Sequence, residues 1–305
     1  MTYSDVLDGT RWVTDGGLET DLLFNHGIDL PEFASFPLLD DTLGRTALRR
    51  YYAEYAAIAG AADVGLLLET PTWRANPDWA QALGYNAAAL DRANRAAVDL
   101  VRASAADSGL DEVRLSGVVG PRGDGYVAGD TNADAAAEYH DLQVRSLVDA
   151  GVDLVHAMTM TEPAEAIGVV RAARNARVPV AVSFTVETDG RLPSGNLLSE
   201  AITAMERTAP ADWYGVNCAH PTHVLPALDG EPWTERLLFL RPNASTMSHQ
   251  ELDAMEVLDS GDIDLLVAST NRVLGQAGSL AVIGGCCGTD SRHVAALWGV
   301  AAPAR

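Results

Sequence analysis

Cysteine is scarce in this sequence. Only three cysteines occur in 305 residues, and the first of them is Cys218. So small and odd a number excludes the disulfide framework that stabilises many small secreted proteins. The three are crowded into the last third of the chain, at Cys218, Cys286 and Cys287. This clustering favours a chemical role over a structural one.

Positively charged residues are also scarce. The chain has 21 Lys and Arg against 42 Asp and Glu, a formal net charge of −21, and its pI is near 4.5. An acidic surface repels phosphate groups, so we expect neither nucleic acid nor an anionic membrane as a partner. We expect small molecules as partners. The sequence leaves open whether the chain forms a homo-oligomer.

The sequence has no apolar run of the roughly 18 residues that a membrane-spanning helix needs. Its first twelve residues are polar and lack the basic and apolar regions of a signal peptide. We therefore expect a soluble, cytoplasmic protein. Its length fits one domain over residues 1–305, since (β/α)8 barrels commonly contain about 250 residues.

Short apolar segments rich in β-branched residues alternate with helix-like stretches. Such alternation indicates a parallel sheet covered on both faces, and eight units favour a closed barrel. We predict an α/β fold, a single (β/α)8 TIM barrel. The strands are predicted at Trp12–Asp15, Val64–Thr70, Val113–Gly120, Val152–Met158, Val178–Val186, Trp213–Cys218, Leu237–Pro242 and Leu280–Gly285. A helix-like stretch follows each strand, and examples are Thr46–Ala62, Asn86–Ser108, Asp134–Ala150, Pro163–Asn175 and Gln250–Leu258.

An open, doubly wound sheet is the alternative fold. In that fold a Gly-x-Gly-x-x-Gly loop that binds phosphate typically follows the first strand. Here the first strand is followed by Asp15-Gly16-Gly17-Leu18 instead. The barrel is therefore favoured.

The cysteines all fall at the carboxyl ends of predicted strands, where barrel enzymes build their active sites. Cys218 ends the sixth strand, and Cys286 and Cys287 end the eighth. Neighbouring side chains of a regular strand point to opposite faces. The glycines around Cys286 and Cys287 allow backbone angles that turn both sulfurs toward one point.

Three thiolates suit a soft, tetrahedral ion, and zinc fits best. A three-ligand site leaves one coordination position open, as catalytic zinc sites do, and a substrate thiol bound there loses its proton. Two other interpretations stay open. The cysteines could be buried small apolar residues, or they could form a closed structural site with His220 or His293 as the fourth ligand.

These motifs resemble the homocysteine S-methyltransferase family over residues 13–297. They are Asp15-Gly16-Gly17-Leu18-Glu19-Thr20, Gly120-Pro121, Ser183-Phe184-Thr185, Gly215-Val216-Asn217-Cys218, Pro242-Asn243-Ala244 and Gly284-Gly285-Cys286-Cys287-Gly288-Thr289. The resemblance implies a (β/α)8 barrel with zinc on the three cysteines. It also implies methyl transfer from a small onium donor to homocysteine, which gives methionine. Such donors are S-methylmethionine, S-adenosylmethionine and betaine.

One position departs from the family pattern. The family usually ends strand four with Phe-Glu-Thr, whose Glu helps to hold the amino group of homocysteine, whereas this sequence has Ala157-Met158-Thr159. Asp15, the other acidic contact of the family, is retained. Glu69 is a candidate to replace the missing charge, and an ion pair between Glu69 and Arg74 is the alternative.

Met158 leaves two rival functions open. One is the same reaction on a thiol other than homocysteine, and the other is a non-catalytic barrel that binds zinc or a thiol. Asp15, Glu69, Met158, Thr159 and Asn217 are the predicted substrate contacts, because they lie at strand ends.

Further side chains near the predicted rim have two possible roles each. Trp73, Trp79 and Tyr126 either form an aromatic wall for a cationic donor or pack the loops. Asn217 and Thr289 are candidates to orient metal ligands. For His220 and His223, roles at a helix start or on the surface are favoured over metal binding.

Overall fold

Eight parallel strands form a closed barrel in this computed structural model, which describes residues 6–303 apart from residue 8. Each strand pairs with the next along the chain, and the eighth pairs with the first. The predicted α/β fold, a (β/α)8 TIM barrel, is confirmed. The strands are β1 Trp12–Val13, β2 Gly65–Glu69, β3 Val113–Val119, β4 Leu154–Met160, β5 Val180–Phe184, β6 Trp213–Asn217, β7 Leu237–Arg241 and β8 Val282–Ile283.

Helices connect the strands and cover the outside of the barrel. They are α1 Leu18–Thr20, α2 Thr42–Ala62, α3 Pro77–Ala82, α4 Ala87–Ser108, α5 Ala133–Asp149, α6 Pro163–Ala176, α7 Leu198–Thr208, α8 Pro221–Val224, α9 His249–Asp253, α10 Ile263–Gln276 and α11 Ser291–Leu297. A π-helical turn, Asp21–Asn25, continues α1, and short 3-10 turns lie at Pro31–Phe33, Phe36–Asp40, Leu225–Ala227 and Pro232–Arg236. No helix among the described residues is both long and apolar enough to cross a bilayer.

Several of the long helices, among them α2 and α4, begin at side-chain caps. Asp41 accepts the backbone N–H of Gly44 at the start of α2, and Asn86 accepts that of Ala89 at the start of α4. Such caps satisfy amide groups that have no partner within the helix. These local signals explain why the helix starts could be found from the sequence to within a few residues.

One predicted helix, Gln250–Leu258, is wrong over its second half. Only α9 is helical there, although it begins with a capping box between Ser248 and Glu251. Beyond it the chain turns, and Met255, Val257 and Leu258 line a large cavity. Tertiary placement of these side chains overrides the local helical preference.

Side chains along each strand point alternately into and out of the barrel, and the inward ones form two layers. An apolar cluster fills one layer and includes Trp12, Leu67, Leu154, Ala181, Phe239 and Val282. Two residues further along these strands, the inward positions are polar: Thr14, Glu69, His156, Ser183 and Arg241. All five of these polar residues are buried. The polar layer therefore forms the floor beneath the carboxyl ends of the strands.

Strand β4 is irregular where it approaches this end of the barrel. Its register against β5 shifts between Ala157 and Met160, and Thr159 has a φ of +61°. The prediction ended this strand at Met158, whereas β4 continues to Met160. A positive φ is unusual for a β-branched residue, so the surrounding contacts must hold Thr159 in place.

Candidate metal centre and substrate cavity

The three cysteine sulfurs meet at the carboxyl end of the barrel. Their Sγ atoms all lie within 4.8 Å of one another, and those of Cys218 and Cys287 are 3.7 Å apart. Cys218 and Cys286 are joined as a disulfide, and Cys287 is a free thiol. The loops after β6 and β8 bring the Cα atoms of this pair to 5.2 Å, which is within the range that a disulfide spans.

This donor set fits a zinc ion once the disulfide is reduced. Thiolates bound tetrahedrally at about 2.3 Å lie about 3.8 Å from one another, which is close to the spacing of Cys218 and Cys287. Within the described residues, the cysteine trio is the one group of three or more His, Cys, Asp or Glu side chains able to share an ion. The site therefore has three soft ligands and room for a fourth.

Cys218 adopts a left-handed backbone conformation with a φ of +56°. Its carbonyl oxygen accepts hydrogen bonds from Nε2 of His249 at 2.7 Å and from Oγ1 of Thr185 at 3.2 Å. Its N–H donates to the carbonyl of Arg241. These bonds offset the strain of the conformation and fix the direction of the thiol.

The turn that carries Cys286 and Cys287 depends on glycine for close packing. A Cβ on Gly284 would overlap the carbonyl oxygen of Asp15, and one on Gly285 would overlap the Thr289 side chain. Of the flanking glycines only Gly288 has a positive φ, +80°. A left-handed backbone conformation, which the flanking glycines allow, is therefore found at the glycine after the two cysteines and not at the two glycines before them.

Polar side chains contact the sulfurs from two sides. The Tyr126 hydroxyl lies 3.6 Å from Sγ of Cys287, and Nδ2 of Asn217 lies 3.8 Å from Sγ of Cys286. Tyr126 stacks on the His249 ring with 4.0 Å between ring centres. Burial raises the pKa of the Cys287 thiol to about 11, so the metal-free thiol is protonated at neutral pH. The Thr289 hydroxyl contacts the backbone of this turn, by donating a hydrogen bond to the carbonyl oxygen of Cys286 at 2.7 Å.

A cavity of about 390 Å³ opens above the polar floor, and its walls are mostly apolar. Its lining brings together all the residues singled out in the sequence as metal ligands or substrate contacts: Asp15, Glu69, Met158, Thr159, Asn217, Cys218, Cys286 and Cys287. Loop residues from the first, second, third and seventh βα connections complete the wall. The three cysteines and the candidate substrate contacts thus line one cavity.

Arg241 lies at the end of β7 and was not predicted as a site residue from the sequence. Its guanidinium forms an ion pair with Oδ1 of Asp15 at 2.6 Å and another with Oε2 of Glu69. It also donates to the carbonyls of Gly285 at 2.9 Å and Gly16 at 3.0 Å. Being only 4% exposed, Arg241 is an internal cation between two buried carboxylates. One signal in the sequence could have identified this residue, namely an arginine among apolar residues at the end of a predicted barrel strand.

The alternative pairing of Glu69 with Arg74 is therefore wrong. Arg74 lies 3.9 Å above the ring centre of Trp79 and donates to the carbonyl of Glu32. Of the three aromatic candidates, Trp73 and Tyr126 line the cavity, whereas Trp79 supports Arg74 from outside the lining.

His156 extends the buried network on the other side of Glu69. Its Nδ1 lies 2.6 Å from Oε1 of Glu69, and its Nε2 lies 2.7 Å from the Ser183 hydroxyl. Burial lowers the pKa of His156 to about 3, so the ring is neutral at neutral pH. The geometry then has Nδ1–H donating to Glu69 and Nε2 accepting from Ser183. Burial also raises the pKa of Asp15, and Arg241 opposes that rise.

The histidines considered as a fourth ligand lie elsewhere. His220 caps the start of α8 by accepting the N–H of Thr222, and His223 contacts the carbonyl of Thr246. His293 is engaged by Asp290 and by the carbonyl of Ser260. His220 and His223 therefore have structural roles, which the sequence favoured over metal binding. A closed site with His220 or His293 has no support.

The three cysteine sulfurs converge at the carboxyl end of a (β/α)8 barrel, the end at which barrel enzymes build their active sites. The family model described as homocysteine S-methyltransferase matches residues 12–300, and the chain belongs to this family. It is thus a methyltransferase of the homocysteine S-methyltransferase type.

Solved structures agree with this fold. The chain is similar to the homocysteine methyltransferase MmuM from Escherichia coli in its metallated form, with 21% identity and a TM-score of 0.77. The oxidized form of the same protein matches with 21% identity and a TM-score of 0.78. Both alignments cover 98% of this chain and 99% of the other. At this identity the likeness establishes the fold.

Proposed function

We propose that this protein transfers a methyl group from a small onium donor to a zinc-bound thiolate, with homocysteine as acceptor and methionine as product. The observation that carries the proposal is the convergence of the three cysteine sulfurs on one point beside the cavity. The family supplies the reaction type. The donor class is that of S-methylmethionine, S-adenosylmethionine or betaine.

Cys218, Cys286 and Cys287, in their reduced form, would hold the zinc. Zinc held there would lower the pKa of a substrate thiol and so provide a thiolate nucleophile at neutral pH. The amide of Asn217 and the hydroxyl of Tyr126 hold the sulfurs in position through the contacts described above. The apolar walls of the cavity exclude water from the reacting atoms.

The reaction balances without any further reagent. The substrate thiolate attacks the methyl carbon, a carbon–sulfur bond forms, and the bond from that carbon to the onium atom breaks. The electron pair of the broken bond leaves with the donor, which becomes neutral. Much of the rate must come from aligning the two substrates, because the attacking and leaving atoms have to lie in line.

A thiol without an α-amino group is the second candidate acceptor. Met158 stands where the family usually has Glu, and its sulfur contacts Nη1 of Arg241 at 3.6 Å. We propose that Met158, Thr159 and Asn217 contact the acceptor chain, with Asp15 and Glu69 in the floor below them. A barrel that only binds zinc or a thiol is the third candidate, and zinc without methyl transfer to any thiol would favour it.

Metal analysis tests the proposed centre. Reduced protein should hold about one zinc per chain, and Cys286→Ala or Cys287→Ala should lose most of it. Far-UV circular dichroism should stay unchanged, because the cysteines lie at the rim and not in the core. Zinc and methyl transfer should decline together below neutral pH, because protons compete for the thiolates. Full zinc retention in both variants, or methyl transfer by zinc-free protein, would contradict the proposal.

A further inference from the structure

The two innermost carboxylates of the cavity are already occupied. Oδ1 of Asp15 is paired with Arg241, and Oδ2 accepts the Tyr51 hydroxyl at 3.3 Å. Oε2 of Glu69 is paired with Arg241, and Oε1 accepts from His156. A cationic substrate group placed there would face the guanidinium, and like charges repel in a buried site.

Glu19 is a further carboxylate on the cavity wall, which also carries Asp124, Asp253 and Asp259. Among the residues that the structure describes, no cation lies within ion-pair distance of its carboxylate. Besides its own backbone N–H, the one partner found for its carboxylate within the described residues is the Ser35 hydroxyl, 2.7 Å from Oε1. The side chain is half-buried and thus open to the cavity. Burial raises the pKa of Glu19, and the Ser35 hydrogen bond and the charges of Arg241 and Arg74 oppose that rise.

The helix turn that carries Glu19 is packed against the cysteine turn. The N–H of Gly17 donates to the carbonyl of Thr289 at 3.1 Å, and a Cβ on Gly17 would overlap the carbonyl of Cys286. On the other side of Glu19, the Thr20 hydroxyl accepts the N–H of Gly288 at 3.1 Å. These contacts hold Glu19 close to the metal centre.

We propose that Glu19, and not Asp15 or Glu69, binds the ammonium group of the acceptor thiol. This inference rests on the proposed function. Arg241 keeps the two inner carboxylates engaged, whereas Glu19 lies outside these ion pairs, on the turn that packs against the cysteine loop. Ser35 orients the carboxylate for that contact. Glu19 thereby takes over the amino-group recognition that Met158 cannot provide.

The test compares two acceptors that differ only by the amino group, homocysteine and 4-mercaptobutyrate. Glu19→Gln keeps the bond from Ser35 and removes the charge. It should raise KM for homocysteine by about 10- to 100-fold, the usual range for a charge-assisted hydrogen bond. kcat should stay nearly constant, as should KM for 4-mercaptobutyrate. The matched control is Glu32→Gln, because Glu32 is exposed on the same connection and does not line the cavity.

Calorimetric titration of both thiols into the zinc-loaded protein, with no donor present, supplies a second readout. Wild type should bind homocysteine more tightly than 4-mercaptobutyrate, and Glu19→Gln should abolish that difference. Equal losses for both thiols, no change for homocysteine, or an effect on the KM of S-methylmethionine alone would overturn the inference. Failure of the proposed function would look different: wild type would methylate neither thiol with any donor, while the calorimetric comparison would still decide the role of Glu19.

Discussion

Asn217 holds Thr159 with two hydrogen bonds across the barrel rim. Its Oδ1 accepts the backbone N–H of Thr159 at 2.7 Å, and its Nδ2 donates to the Thr159 hydroxyl at 2.8 Å. Nδ2 also lies 3.8 Å from Sγ of Cys286. One amide thereby links the left-handed residue of β4 to the candidate metal centre.

Asn217→Ala should weaken zinc binding by about 10- to 100-fold, the usual effect of removing a group that orients a metal ligand. Competition with a chelator would measure the zinc dissociation constant. The control is Asn132→Ala, which removes the cap of α5 and lowers stability by about 1 kcal/mol without approaching the cysteines. Equal zinc affinities in the two variants would show that Asn217 does not orient the site.

Arg241→Met should lower the free energy of unfolding by about 3 to 5 kcal/mol, because it leaves two buried carboxylates without their cation. Adding Glu69→Gln should restore part of the loss, since one of those charges is then removed. Urea denaturation measures both effects. Arg145→Met breaks an exposed pair with Asp141 and should change stability by about 0.5 kcal/mol at most. If Arg241→Met proved as mild as this control, the buried ion cluster would not be stabilising.

The lowered pKa of His156 leads us to expect a specific dependence of the free energy of unfolding on pH. Its pKa is about 3 in the folded protein and about 6.5 in an unfolded chain. Between these values the unfolded chain binds a proton that the folded protein does not. The free energy of unfolding should therefore fall as pH drops from about 6.5 toward 3, by up to about 1.4 kcal/mol per pH unit.

The variant His156→Gln should flatten this part of the stability curve, because glutamine does not titrate. The difference between the two proteins isolates His156, since His220, whose pKa burial lowers to about 4, is present in both. Chemical denaturation at several pH values would give the two curves. Parallel curves would mean that His156 does not titrate with the lowered pKa.

Local patterns account for the parts of this protein that could be predicted. The strands were found because each is a short apolar run buried on both faces, and the helix starts because side-chain caps act over three residues. The cysteine site was found because residues at the carboxyl ends of barrel strands must meet at one rim. Among the predicted helices, Gln250–Leu258 failed over its second half, where the chain turns along the edge of the cavity.

The amino-acid sequence by itself determined the barrel, the position of the three cysteines at its catalytic end, and the loss of a carboxylate at Met158. The tertiary structure alone decided which charges remain for a substrate. Asp15 and Arg241 are 226 residues apart in the chain, and no local pattern shows that they pair. Glu19 was visible in its motif, but nothing there shows that it lines the cavity outside the ion pairs of Arg241. A buried charge finds its partner through the closure of the barrel, because only that closure brings β1, β2 and β7 to one floor.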